Sequence, residues 1–326
     1  MAPSIENPAR DLPRALVYTP RMEKATEGSR KAQLSILVFG VFICSTSVIL
    51  IKAATINPLL QSSYRLLGAV VVLVPFFFRE LKRRGETFSF RLMLPSILPG
   101  VILGLHFMAW IYGARRTLAG NSTVIVNMSP VVMPFVALAL LGVAPRRKEI
   151  VGTLIASAGV AILAVADYRG DPGRFAGDLS CFVSMLLFTV YLALARKNNP
   201  EGRLWTYLVP LYLSGGLFCL LVALAAGVDP VAGVTWIDLL MTAGLALGPT
   251  IIGHSIMNWA MMRLPPQVVS LLNLGQFAFA GVLAFFLFRE VPDAAFYATS
   301  VLIVAGAAIA ILPDRARRRT RSGVAP

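Results

Sequence analysis

The sequence predicts an all-α integral membrane protein of ten transmembrane helices, arranged as two inverted five-helix repeats. Three observations lead there. Of 326 residues, 57% are apolar and only 14% charged, with a mean hydropathy of +0.73, whereas soluble domains average about 25% charged residues. The apolar residues gather in runs that reach the ~20 residues a helix needs to cross ~30 Å of hydrocarbon. Finally, related segments recur at an offset of 149 residues.

Taken in order, residues 1–33 are polar, carry Pro3, Pro8, Pro13 and Pro20, and read as a disordered cytoplasmic arm. The arm has no apolar core ahead of a cleavage site, so the first span is expected to act as an uncleaved anchor. The ten spans are 34–53, 59–78, 92–114, 118–141, 150–166, 175–195, 204–227, 236–262, 267–288 and 292–312. The first repeat is expected over 34–166 and the second over 175–312, followed by a basic cytoplasmic tail, 313–326. No gap between spans has room for a soluble domain. No run shows the alternating ten-residue pattern of an outer-membrane barrel.

The formal charge of +14 raises the possibility of a nucleic-acid binder, but that needs basic residues gathered on one folded polar face. Here they alternate by loop. Twenty-three Lys and Arg fall in the two tails and the loops after even-numbered spans, and 5 in the remaining loops. This asymmetry is the positive-inside pattern of an inner (plasma) membrane protein with both termini cytoplasmic, in contact with anionic lipid. It leaves no role for nucleic acid. Cys44, Cys181 and Cys219 all lie inside apolar runs, so neither a disulfide framework nor a metal site is expected.

Gly104-Leu-His-Phe-Met-Ala-Trp110 aligns with Gly253-His-Ser-Ile-Met-Asn-Trp259, and Gly159-Val-Ala-Ile-Leu with Gly306-Ala-Ala-Ile-Ala at an offset of 147. Span three thus corresponds to span eight, and span five to span ten. Five is odd, so the second copy enters from the opposite face, an architecture common among carriers that bind at the midplane. Spans three and eight carry matched interruptions, Pro95, Pro99 and Gly100 against Gly248, Pro249 and Gly253, and span four adds Pro130 and Pro134. Broken helices are tolerated where the freed backbone is buried or lines a cavity, and the matched breaks are expected to line one.

These residues carry a resemblance. Ser45, Ile51-Lys52, Pro58 and Arg65, then Asn127-Met-Ser-Pro130-Val, Gly177-Asp178-Leu, Tyr191, Ala195-Arg196, Asn258-Trp259-Ala260, Val269-Ser-Leu-Leu-Asn273-Leu and Arg289-Glu290 follow in an order that resembles the drug/metabolite transporter superfamily, EamA type. The resemblance covers roughly 36–312. It implies ten helices and the export or exchange of a small metabolite. Two departures stand out: Gly275-Gln276 where the ninth helix commonly has Glu-Pro, and Val143-Ala-Pro145 in place of Gly-Glu after the fourth.

Ionisable groups at membrane depth are costly and serve as functional candidates by default. Lys52 and Arg65 lie toward the outer leaflet. His106 and His254, the two histidines, occupy nearly corresponding repeat positions, and imidazole titrates near neutral pH. Asp178, Asp238 and Glu290 read as span ends, and the absence of a carboxylate in any span centre favours an uncoupled facilitator or exchanger. Tyr64, Trp110, Asn127, Tyr191, Asn258, Trp259, Asn273 and Gln276 are polar or aromatic candidates for a cavity wall, joined by Ser47 and Gln61; helix–helix hydrogen bonding is the competing role for the amides. His106, His254, Trp110 and Trp259 are expected to approach one central cavity.

No Walker A loop and no Ser/His/Asp set is present, so neither an enzyme nor a cofactor is expected. The reading is a carrier of a small polar or amphipathic metabolite, an amino acid or other anion first, held by Arg65 with Lys52 guiding it in. A membrane-embedded scaffold or enzyme subunit and a carrier of a lipid-linked substrate are the rivals. Substrate identity, flux direction and oligomeric state are not legible. One prediction follows directly from the charge count: cysteines placed at Asn57 and Gly170 should react with impermeant reagent only from the side opposite the termini, and labelling from the cytoplasmic side at either would overturn the topology.

Overall fold

The computed structural model describes residues 27–142, 144–199, 203–261, 264, 269 and 272–311. They are helical throughout apart from short connections. In order the helices are α1 (Glu27–Ala53), α2 (Pro58–Arg84), α3 (Leu94–Ala114), α4 (Ala119–Val126), α5 (Ser129–Leu141), α6 (Arg147–Gly170), α7 (Pro172–Asn198), α8 (Trp205–Ala225), α9 (Trp236–Leu245), α10 (His254–Met261), α11 (Gln276–Phe288) and α12 (Ala294–Ile311). Eight stretches are long and apolar enough to cross a membrane, and Leu272–Phe288 and Ala294–Ala310 are shorter apolar helices. Together they match the ten spans. Most of the expected arm and the basic tail lie outside the described residues, but 27–33 are helical: Glu27, Lys31, Ala32 and Gln33 are good helix formers and extend α1 beyond the apolar run.

Local chemistry sets the ends. Asn57 accepts the Leu59 N–H at 2.9 Å and Pro58 fills the first position of α2, where a missing N–H costs nothing. Gly85 ends α2 at φ 69°, a left-handed cap that a side chain disfavours. Asp171 and Pro172 make the tight turn from α6 into α7, and Thr235 and Asp238 form a reciprocal capping box on α9.

The two interrupted spans expected to match differ. Span eight is broken: between α9 and α10, Ala246–Gly253 winds as a π-helix around Pro249, a local widening common at functional sites. Span three is unbroken, since Pro99 lies within one continuous helix. There Gly100 lies against Leu211 and Ser214 of α8, and Gly104 against Gly215 and Cys219, so closely that a Cβ has no room. The interruptions of span three therefore serve packing and not a cavity. The fourth span does break, at Asn127, between α4 and α5.

The apolar surface is turned outward: Val71 and Val301 leave 74% and 68% of their area exposed, while the interior holds small residues and the fully buried Arg65. α2 packs along α8, α3 against both α7 and α8, and α1 along the π-helical segment and α11. α6 and α12 form the tightest pair. Gly306 meets the backbone of Gly152 and Ala156, and Thr299 donates its hydroxyl to the Gly159 carbonyl at 2.7 Å. Gly152→Val or Gly306→Val should therefore destabilise the protein by about 2 kcal/mol or more through overpacking. Gly281→Ala, with open space around it, should be neutral or stabilising by up to ~1 kcal/mol. Thermal unfolding of the detergent-purified protein checks both; equal midpoints for all three variants would refute the packing account.

Candidate functional site

Four helices converge on Arg65. Its side chain is 1% exposed, with Nε donating to Thr250 Oγ1 at 2.8 Å. Thr250 in turn donates to the Leu245 carbonyl at 2.9 Å, the five-residue reach of the π turn, so the helix break is what presents this hydroxyl to the guanidinium. The guanidinium carbon lies 4.1 Å from the Phe107 ring centre and 5.7 Å from that of Trp110; such faces attract a cation most strongly when water is excluded. His106 stacks near Trp110 and Phe188, at 6.0 and 4.8 Å. Its Nδ1 lies 2.9 Å from the Ser184 carbonyl and 2.8 Å from the Ser184 hydroxyl, and Tyr191 continues the aromatic wall through Phe188.

What this buried cluster lacks is acceptors. Arg65 Nη1 and Trp110 Nε1 are both buried and, among the described residues, meet no hydrogen-bond partner. A buried donor left unmatched costs about 1–3 kcal/mol, and more when charged. Two such donors beside one another suit an anionic group, and a guanidinium fork binds both oxygens of a carboxylate.

The remaining candidates go elsewhere. Lys52 makes an ion pair with Glu290 at 2.7 Å and donates to the Thr117 carbonyl at 2.6 Å, and Glu290 also accepts the Ala119 N–H at 2.7 Å. Glu290, read from the sequence as a span end, thus reaches Lys52 from the loop after α11. Tyr64 donates to the Pro230 carbonyl at 2.5 Å. Gln61 accepts from Arg115 Nη2 at 2.7 Å and so ties α2 to the end of α3. Ser47 is buried. Asn127, Asn273 and Gln276 bond to one another, Asn273 Nδ2 to Asn127 Oδ1 at 3.0 Å and Gln276 Nε2 to both asparagines, which joins the break of the fourth span to the start of α11. Trp259 packs in a separate cluster with Leu37, Val41 and Ala260, while Trp110 belongs to the main core. His254 is half-buried at the start of α10, and the side chain of Asn258 lies outside the described residues.

One end of the bundle is densely tied. Besides Lys52 and Glu290, Asp238 accepts the N–H groups of Thr55 and Ile56 at 2.5 and 2.8 Å, and Arg115 donates to the carbonyls of Ile51 and Ile56 at 3.1 and 2.6 Å. Burial lowers the Arg115 pKa from the usual guanidinium range, opposed by the nearby Asp238 carboxylate. Two further carboxylates, Asp167 and Asp178, are buried inside α6 and α7, where the sequence alone read Asp178 as a span end. Among the described residues no three His, Cys, Asp or Glu come together to hold a metal ion. Sequence reasoning missed Thr250, Phe107 and Ser184; of these, Thr250 was within reach, as the residue that follows Pro249 in the expected break.

The Lys52–Glu290 contact yields a prediction. Glu290→Gln removes the counter-charge of the Lys52 ammonium and leaves it only neutral carbonyl acceptors, which should lower stability by about 1–3 kcal/mol. Adding Lys52→Met should recover part of that loss, read as a non-additive double-mutant cycle in detergent unfolding. Strict additivity would show that the pair contributes nothing.

Comparison with known proteins agrees with this picture. Residues 32–165 match the EamA-like transporter family. No curated protein matches the chain in sequence. Among solved structures, one recorded as "Crystal structure of protein" aligns at 19% identity and a TM-score of 0.58, over 86% of this chain and 98% of that one, which is a likeness of fold. Residues 32–165 of this multi-pass membrane protein, which hold the first five of its apolar spans, are thus similar to the EamA-like transporter family.

Proposed function

We propose that the chain carries a small carboxylate-bearing metabolite across the inner membrane by alternating access between two inverted five-helix halves, with Arg65 holding the carboxylate. One observation carries the reading: the adjacent buried donors Arg65 Nη1 and Trp110 Nε1 have no acceptor among the described residues. A carboxylate supplies acceptors for both and a counter-charge for the guanidinium, whose contacts among the described residues are the Thr250 hydroxyl and two ring faces. The aromatic wall of Phe107, His106 and Phe188 favours cargo with an apolar body, and an amino acid meets both demands.

The halves are supported by how helices pair. At the 147-residue offset, Gly152 corresponds to Thr299 and Gly159 to Gly306. The contacts come as a reciprocal set, Gly152 with Gly306 and Thr299 with Gly159. Such exchange is what a two-fold axis between two copies requires. The pairing of α3 with α7 is likewise matched by that of the π-helical segment with α1. Under the topology read from the loops, the tied end faces outward, so Lys52 serves as a latch at that face and Arg65 lies beneath it.

Uptake and exchange of a metabolite library in proteoliposomes tests the assignment. Arg65→Lys replaces a fork by a point charge and should reduce transport at least ~10-fold, the equivalent of about 1.4 kcal/mol, while Lys52→Arg retains most of it. Exchange by Arg65→Gln close to that of the unsubstituted protein, with normal membrane insertion, would refute the role of Arg65.

A further inference from the structure

A second polar pocket lies at the tied end, and its deficit is the reverse of the first. The tight turn at Asp171 and Pro172 folds α7 back on α6 and brings both Asp178 and Asp167 to the start of α4 and the connection before it. The two residues are 4% and 2% exposed. Asn121 of α4 donates Nδ2 to Asp167 Oδ2 at 2.9 Å, and Gly177, next to Asp178, abuts the Thr117 backbone of the α3–α4 loop. Yet Asp178 Oδ1 and Oδ2 and Asn121 Oδ1 are all buried without a donor among the described residues, and Thr117 Oγ1 makes no completed hydrogen bond. The pocket has acceptors in excess and lacks donors.

Among the described residues, no cation makes an ion pair with either carboxyl. Arg174, on the same helix, turns to Asp171 at 3.4 Å near the surface. Lys52 of α1 is taken by Glu290 and the Thr117 carbonyl. Arg116, whose backbone abuts Gly177, places its guanidinium over the Tyr112 ring at 3.7 Å. Cys181, one turn along α7, is buried and brings no positive charge. Two carboxylates that meet out of water do not both ionise; they share a proton. That proton is also the donor the pocket lacks.

We infer that Asp167 and Asp178 form a proton-binding carboxyl pair, and that its proton is the ion coupled to transport. The coupling rests on the carrier reading above; the proton pair itself does not. With the proton in place, Asp178 donates to Asp167 and holds the α6–α7 turn against the α3–α4 loop. When the proton leaves to water, two facing carboxylates repel and draw water in. The loop they share with Lys52, through Thr117, is then released along with them. A facilitator without ion coupling, the expectation from the sequence, has no use for such a pair.

The geometry also supplies the probe. Asp178 lines a cavity of about 280 Å³ whose other walls, apart from Ser157, are apolar, among them Phe175, Leu179 and Phe182. Dicyclohexylcarbodiimide, a small apolar reagent, takes the proton of a protonated carboxyl on nitrogen and is attacked at its central carbon by the carboxyl oxygen, giving an O-acylisourea that rearranges to a stable N-acylurea. In proteoliposomes it should add its mass to Asp178 or Asp167, the yield falling as pH rises. Asp178→Glu should keep a pH-dependent label at 178. Asp178→Asn, which preserves shape, should lose the label there, and its solute flux should no longer respond to an imposed pH gradient. Absence of label at both positions across the pH range, or unsubstituted protein whose flux ignores the gradient, overturns the inference. A pH-dependent label without movement of any solute upholds the carboxyl pair and overturns the carrier reading, so the two failures are told apart.

Discussion

A guanidinium removed from water has to be surrounded by acceptors or π faces, and the central architecture here follows from how Arg65 is treated. The Thr250 hydroxyl reaches it because span eight changes from α to π around Pro249. Phe107 and Trp110 reach it because α3 remains a continuous helix, one turn separating the two rings. α1 approaches the π-helical segment closely enough that Cys44 occupies the space a side chain at Gly253 would need. The cation thus ties together α2, α3 and the broken span while its remaining donor stays unspent.

The two buried polar pockets are complementary in chemistry. Around Arg65, donors exceed acceptors; around Asp178, acceptors exceed donors. Hydrocarbon supplies neither, so each imbalance persists until something binds. The network from Glu290 through Lys52 to Thr117 runs beside the acidic pocket, which lets a change of charge there be felt by the loops that close the same end.

Much of this was legible in the amino-acid order. Ten apolar runs are met by eight spanning stretches and two shorter apolar helices, because lipid enforces length and composition together. Pro249 announced a break, and Arg65 announced itself by being charged where charge is expensive. The pairings were less readable. Nothing local to Lys52 points to Glu290, since their meeting depends on how distant loops converge. Pro99 looked as disruptive as Pro249, but α8 presents Gly215 to Gly104 and keeps α3 straight. The partnership of Asp167 with Asp178 was in principle readable, because a tight turn at Asp171 and Pro172 between two helices folds one onto the other, and residues flanking it meet.

The seam between α6 and α12 has a consequence in time. Gly152 is shaped for Gly306, so half of the seam leaves the ribosome long before its counterpart exists. Contacts between segments so far apart in the chain form late, and intermediates with uncovered surfaces are the ones that misassemble. Until α12 has been inserted, Gly152 and Gly159 of α6 stand open to lipid, and Lys52 waits for its carboxylate through the synthesis of every helix from α2 to α11. Closure of the seam by α12 therefore follows directly on the arrival of Glu290, which neutralises a charge that α1 carried into the membrane.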